Sequence, residues 1–145
     1  MKIDINKIID TGKVFELSKK SSIEEFYQKH KLIEKRNSYD DGSFYSVLLG
    51  WNEFFFENDK LTSVNIDISN TKIVFTNSKN TIKYNSKLNK VISYLNLTNK
   101  EWAFYSPYCF THQLCIKSNN VYFFFMNSDE KRMRLNKIKI SWDDL

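Results

Sequence analysis

Cys109, His112 and Cys115 form a group whose residue types suit nucleophilic catalysis. A thiol attacks as its thiolate and needs a base beside it, and the only other histidine of the chain is His30. In a strand, residues 109 and 115 share one face while residue 112 lies on the other. We therefore expect two buried thiols beside an exposed histidine, no catalytic residue, and a protein that is not an enzyme.

The two thiols are also expected to remain reduced. A fully extended run would hold Cys109 and Cys115 about 20 Å apart, whereas a disulfide requires Cα atoms within about 7 Å. The sequence has no CxxC or HxxxH pair, and Asp40 and Asp41 precede a glycine, as in a turn. We expect neither a metal nor a cofactor.

Charge is distributed unevenly along the chain. Residues 1–70 carry 10 Lys/Arg and 12 Asp/Glu, whereas residues 71–145 carry 12 and 5, and the whole chain has a net charge of +5. A basic half is typical of proteins that bind an acidic partner or nucleic acid, although drift toward Lys-rich composition gives the same pattern. There are only three arginines, the usual residues for bidentate phosphate contacts, so nucleic acid is not the expected partner.

The elements that position these residues are dominated by an aromatic β-hairpin that occurs twice. Residues 51–68 contain two strand-like runs around the polar quartet Glu57-Asn58-Asp59-Lys60, and residues 120–140 repeat the arrangement with a longer turn. The phenylalanine triplets at 54–56 and 123–125 lie 69 residues apart. We predict an α+β fold, with residues 1–145 as a single domain of two pseudo-repeats, about 1–70 and 71–145.

Each pseudo-repeat is predicted to contain one amphipathic helix packed on antiparallel strands. The first helix has Ser21 and Ser22 as candidate caps and apolar spacing from Ile23 onward. The second has Asn85 and Ser86 as candidate caps and begins at about Leu88. Residues 3–17 are interpreted as a pair of short strands with a turn at 10–13. The strands are expected to form either one continuous sheet or two facing sheets.

Both faces of the second aromatic strand are apolar. Tyr122, Phe124 and Met126 lie on one face, with Phe123 and Phe125 on the other. One face must pack on the helices, so the other requires a cover, which is the other unit, a partner such as a second copy of the chain, or nucleic-acid bases.

The order of elements resembles a known repeat. Here a capped helix from residue 21 to 33 precedes strands at 43–49 and 51–56, an Asn-Asp-Lys-Leu turn at 58–61 and a Val-x-Ile strand at 64–68. This is similar to the repeat of BamE-type lipoproteins and of tandem beta-lactamase inhibitor proteins. Similar small cytoplasmic chains are found among bacterial immunity proteins that neutralise polymorphic or contact-dependent toxins. The chain shows no lipobox cysteine near residue 1, no signal-peptide pattern and no apolar run of membrane-spanning length, so the cytoplasmic immunity proteins are the expected relatives.

The resemblance implies a protein that binds a toxin domain and masks its active site; the alternative is a small basic nucleic-acid-binding module. Aromatic anchors and a charged rim usually make such interfaces. The candidate partner-binding residues are Trp51, Trp102, Tyr105 and Tyr108 as anchors, with Glu53, Glu57 and Asp59 or Lys131, Arg132 and Arg134 as the rim. The two hairpin turns are the places where the copies differ most in charge.

Overall fold

The computed structural model describes residues 1–30, 36–39, 42–76, 79–127 and 132–143, with only the backbone at 36–39. The described chain is α+β, as predicted. Its elements, in chain order, are β1 (Lys2–Asp4), α1 (Ile5–Thr11), α2 (Ile23–Lys29), β2 (Arg36–Tyr39), β3 (Phe44–Leu49), β4 (Asn52–Glu57), β5 (Lys60–Ile66), β6 (Lys72–Val74), β7 (Thr81–Ile82), α3 (Leu88–Leu97), β8 (Ala103–Phe104), a 3-10 turn (Ser106–Tyr108), β9 (Gln113–Ser118), β10 (Val121–Asn127) and β11 (Met133–Ser141).

Eight of the strands form one continuous sheet, the first of the two expected arrangements. Its order is β2-β3-β4-β5-β11-β10-β9-β8, and every neighbouring pair is antiparallel. A separate sheet of three short strands has β1 parallel to β6 and β7 antiparallel to β6. The two aromatic hairpins therefore lie side by side, joined through β5 and β11.

The two halves of the large sheet match strand for strand about the β5–β11 pair. In β3–β4, Phe44 pairs with Glu57, and in β9–β10, 69 residues later, Gln113 pairs with Met126. Each hairpin also has a bulge between the second and third phenylalanines of its triplet, at Phe55/Phe56 and at Phe124/Phe125. The halves thus share register as well as strand order, while their origin by duplication stays a prediction.

The same hydrogen bonds tie each helix start to its hairpin. The Leu61 N–H donates to the carbonyl of Ser21 at 2.8 Å, and the Leu135 N–H donates to that of Ser86 at 2.8 Å. The hydroxyl of each serine accepts a backbone N–H three residues back, at 3.0 Å for Ser21 and 2.9 Å for Ser86. Because Ser86 has this role, the N-cap of α3 is Lys87, and the prediction that Asn85 or Ser86 caps the helix is wrong.

All three helices contribute to a core on one face of the large sheet. Phe26 of α2 packs on Phe54 and Phe56 with ring centroids 4.9 and 5.9 Å apart, and Val91 and Leu95 of α3 are fully buried in the same cluster. Ser22 caps α2, as predicted, by accepting the Glu25 N–H at 3.1 Å. None of the helices in the described ranges is long and apolar enough to cross a membrane.

The interpretation of residues 3–17 as a pair of strands is wrong from Ile5 onward. Asp4 caps α1 by accepting the N–H groups of Asn6 and Lys7 at 3.1 and 3.3 Å. Gly12, with φ of 67°, ends the helix in the left-handed conformation that favours glycine. The residues between them turn Ile5, Ile8 and Ile9 to one buried face, since these positions have helical spacing.

Candidate partner-binding site: the outer face of the sheet

The face of the large sheet opposite the helices is the outer face. Its side chains alternate with core residues along each strand. A row crosses it from β4 to β9, because Glu53 pairs with Asn65, Asn65 with Lys139, Lys139 with Tyr122, and Tyr122 with Lys117. The outer face comprises Leu48, Glu53, Phe55, Glu57, Ser63 and Asn65 in the first half and Cys115, Lys117, Tyr122, Phe124, Lys137 and Lys139 in the second.

Part of the second half is covered by the chain itself. The segment 105–110 folds back over β9 and β10, and Tyr105 packs edge-on against Tyr122 while Tyr108 packs against Phe124, with centroids 5.3 and 5.7 Å apart. The Tyr105 N–H donates to the carbonyl of Cys115 at 2.8 Å, which fixes the segment. Over these two rings the required cover is therefore intramolecular.

This reversal overturns the expected separation of the cysteines. The N–H of Cys115 donates to Sγ of Cys109 at 3.5 Å, because the chain turns between them rather than running straight. Both cysteines are nevertheless free thiols, as predicted, but only Cys115 is buried, and the prediction that Cys109 is buried as well is wrong. Burial, and secondarily the nearby Cys109, raise the pKa of Cys115 to about 12, so this thiol does not ionise near neutral pH. A thiol that stays protonated is a poor nucleophile.

The two histidines have contacts of their own. His112 is exposed, and its carbonyl accepts the Asn127 N–H at 3.0 Å. His30 lies at the end of α2, where its Nε2 is 2.9 Å from the carbonyl oxygen of Phe15. Among the described residues, no group of three or more His, Cys, Asp or Glu is arranged to hold a metal ion.

Lysines of the outer face lie over aromatic rings. The ammonium of Lys139 is 5.6 Å from the ring centre of Phe55, and that of Lys137 is 5.4 Å from the ring centre of Phe124. Lys117 lies 5.3 Å from the ring of Tyr122. Such contacts favour a cation on a partly desolvated surface.

Two of these lysines, Lys137 and Lys139, lie close together on one face of β11. Burial, and then the charge of Lys137, lower the pKa of Lys139, while Glu53 partly offsets them. Glu53 itself accepts a hydrogen bond from the Ser46 hydroxyl at 2.6 Å. In the part of the chain that the structure describes, no carboxylate lies within 4.0 Å of the Lys137 or Lys139 ammonium, and the ion pairs that form involve Lys19, Lys29 and Lys100.

The first half of the sheet has no lysine at the matching positions. Lys137 corresponds to Ser63 and Lys139 to Asn65, because each hairpin has the same bulge and register. Lys117 corresponds likewise to Leu48, which pairs with Glu53. The same scaffold thus carries a basic outer face in one half and a neutral to acidic one in the other.

The predicted anchors are in three different places. Trp51 is 71% exposed at the turn between β3 and β4. Trp102 packs against the main core, and its Nε1–H donates to Asn96 Oδ1 at 2.8 Å. Only Tyr105 and Tyr108 contribute to the outer face, through the segment over β9 and β10. The four aromatic residues do not form one patch.

The charged residues of the first predicted rim are divided between two surroundings. Glu53 and Glu57 both alternate with the buried residues of β4 and so lie on the outer face, Glu57 at its exposed end. Asp59 has a structural role in the turn, since it accepts a hydrogen bond from the Tyr45 hydroxyl and its carbonyl accepts the Ile23 N–H at 3.0 Å. Asn58 and Asp59 both have positive φ, as a tight hairpin turn requires.

The basic rim lies at the opposite end of the sheet from the acidic one. Ile66 pairs with Ile138 and Ser63 with Ser141, so β5 and β11 begin at opposite ends. Arg132 is exposed near the start of β11, Arg134 pairs with Met126, and Lys131 lies outside the described residues. The two turns therefore cannot form a single binding site.

The sequence reasoning missed the lysines of the outer face. Lys137 and Lys139 alternate with Ile138 and Ile140, a pattern that was available as a signal. Such lysines are usually the solvated side of a strand, and nothing local shows that they lie over Phe124 and Phe55.

Comparisons with protein-family models, with curated proteins and with solved structures gave no match.

Proposed function

We propose that this chain is an immunity protein that neutralises a bacterial toxin by covering its active site with the outer face of the sheet. The observation that carries the proposal is the pair Lys137 and Lys139, two partly buried lysines on one strand with no described carboxylate within 4.0 Å of either ammonium group. Burying like charges side by side costs stability. A protein partner that supplies opposite charge offsets that cost on binding.

A rigid frame supports this role. The large sheet has one face filled by helices and the other formed by side chains from six of its strands, so the outer face is preorganised before any partner arrives. Preorganisation reduces the ordering cost of association, and complementary charge raises its rate. The proposal also places the protein in the cytoplasm, where free thiols such as Cys109 and Cys115 stay reduced.

Nucleic acid is the alternative partner, since lysines and aromatic rings on an open sheet also occur in RNA-binding domains. Base stacking requires exposed ring faces. Here Phe124 is 8% exposed and Tyr122 is fully buried, and lysine ammonium groups lie near both rings. These rings are poor stacking platforms, so a protein partner fits the surface better.

Co-expression tests the proposal. The toxic domain encoded by the gene immediately upstream would be expressed in a bacterial host with and without this chain. We expect growth to be restored and the two proteins to elute together in size-exclusion chromatography. The proposal would be overturned if growth were not restored and no complex formed. It would also be overturned if no toxin gene lay at that position.

A binding titration separates the two partner classes. Single-stranded RNA would be titrated with the full chain at two salt concentrations, since phosphate binding weakens steeply as salt rises. We expect no measurable binding at physiological salt. Tight, salt-sensitive binding to RNA would favour the nucleic-acid function over the immunity function.

Elution of the free chain as a dimer in size-exclusion chromatography would instead make a second copy the occupant of the outer face.

A further inference from the structure

A groove on the outer face lies between β11 and the segment 105–110. It has a volume of about 430 Å³. Phe124, Tyr108 and Phe110 form its apolar part, and Lys137, Lys139 and Gln113 bring polar groups to it. Phe110 is 62% exposed although it is a large aromatic residue. An exposed ring beside a groove with two ammonium groups is a surface that combines apolar and cationic contacts.

The charge of the groove is unbalanced. Lys137 and Lys139 are two residues apart on one strand face, so their Cα atoms lie about 7 Å apart. The charge of Lys137 disfavours the protonated form of Lys139 and lowers its pKa. None of the residues that line the groove is acidic. A carboxylate placed between the two ammonium groups would relieve their repulsion.

We propose that this groove receives an acidic polypeptide segment in which an apolar side chain lies beside one or two carboxylates. The inference rests on the proposed function, since the segment belongs to the toxin. The apolar side chain packs on the exposed ring of Phe110, and the carboxylates pair with Lys137 and Lys139. Asn136, the extra residue of the β11 bulge, also lines the groove and offers a neutral hydrogen-bonding group beside the lysines.

The corresponding place in the first half of the sheet lacks these features. Ser63 and Asn65 stand where Lys137 and Lys139 stand in the second half, and Glu53 adds an acidic group there. An acidic segment would therefore be repelled from the first half and attracted to the second. This charge difference fixes which half of the sheet receives the segment.

The test is an NMR titration of the full ¹⁵N-labelled chain with a synthetic peptide, Gly-Ser-Glu-Phe-Glu-Ser-Gly. We expect shifts confined to β10, β11 and the segment 105–113. A peptide with Gln in place of both Glu should bind at least about tenfold more weakly. The double variant K137Q/K139Q should lose the preference for Glu. The matched control is K2Q/K72Q, which removes two lysines that are cross-strand neighbours in the small sheet and should leave binding within about twofold.

Three outcomes of the peptide titration would each overturn the inference: no shifts with excess Glu peptide, equal binding of the Glu and Gln peptides, or equal binding by K137Q/K139Q and the wild type. Stronger shifts at the same groove with single-stranded RNA would also overturn it. If the groove were assigned correctly but the immunity function were wrong, the Glu peptide would bind while co-expression would not restore growth. Growth rescue that survives K137Q/K139Q would leave the function standing and reject the groove as the site of the acidic segment.

Discussion

Asn65 and Lys139 lie directly opposite each other on β5 and β11, at the centre of the eight-stranded sheet. They occupy matching positions in the two halves. Asn65 pairs with Glu53 in the first hairpin, and Lys139 pairs with Tyr122, at the matching position, in the second. One is neutral and the other is a partly buried cation. At the centre of the sheet the two halves therefore have matching backbone positions but side chains of different charge.

Replacing Lys139 by Met is expected to stabilise the fold. Burial and the charge of Lys137 lower the pKa of Lys139 from its ordinary value of 10.5. Between the lowered value and 10.5 the unfolded chain binds more protons than the folded chain, so the wild type gains stability as pH rises through that window. Urea unfolding should show a stabilisation by Lys139→Met that is largest near neutral pH and shrinks as pH approaches 10.5.

Lys72→Met is the control for this experiment, because Lys72 is an exposed strand lysine on the small sheet. Its effect on the free energy of unfolding should stay within about 0.5 kcal/mol and vary little with pH. A stabilisation by Lys139→Met that is constant with pH would contradict the proposed electrostatic cost.

Phe54→Ala and Phe55→Ala should differ sharply although the residues are adjacent. Phe54 is fully buried against Phe26 and Phe15, with ring centroids 4.9 and 5.6 Å away. Its loss should cost about 3–5 kcal/mol of unfolding free energy. Phe55 lies on the outer face, stacked on Phe44, and its loss should cost about 1 kcal/mol. Guanidinium denaturation measures both, and similar costs would contradict the assignment of the two faces.

Ser21→Ala and Ser86→Ala should destabilise the protein by similar amounts. The Ser21 hydroxyl accepts the backbone N–H of Ser18, and the Ser86 hydroxyl accepts that of Lys83. Losing that acceptor should cost about 1 kcal/mol, and thermal or urea unfolding measures it. Ser93→Ala, at an exposed position in α3, serves as the control. If only one of the two substitutions lowered the free energy of unfolding, the two serine hydrogen bonds would not have matching roles in the two halves.

The two thiols should differ in reactivity. Cys115 is buried with a pKa raised to about 12, whereas Cys109 is partly exposed. Iodoacetamide at mildly alkaline pH should therefore modify Cys109 first and spare Cys115. Mass spectrometry of digests gives the extent of modification at each site, and guanidinium should make the two equal. Comparable labelling of both in the folded protein would show that the segment 105–110 opens readily.

Several features followed from local sequence because their physical causes are local. The helix at Ile23 was marked by its Ser22 cap and its apolar spacing, and the first aromatic hairpin by alternating residues around Asn58 and Asp59. α1 was missed although Asp4 and Gly12 are ordinary start and end signals, because the isoleucines between them also fit short strands.

The candidate site could not be predicted because its residues meet only through pairing across the sheet. Lys139 and Phe55 are 84 positions apart in the chain and come into contact because β5 and β11 are neighbours. The cover over Tyr122 and Phe124 likewise depends on a reversal at residues 105–110 that strand periodicity does not encode.

The sequence by itself determined the α+β class, the two aromatic hairpins and the helices α2 and α3, since capping, turn chemistry and periodicity act over a few residues. Only the tertiary structure decided that the hairpins join into one sheet, that the charged turns lie at its opposite ends, and that the lysines of β11 lie over aromatic rings. The reason is that strand order and register are long-range choices, fixed by how the whole apolar face is buried against the helices.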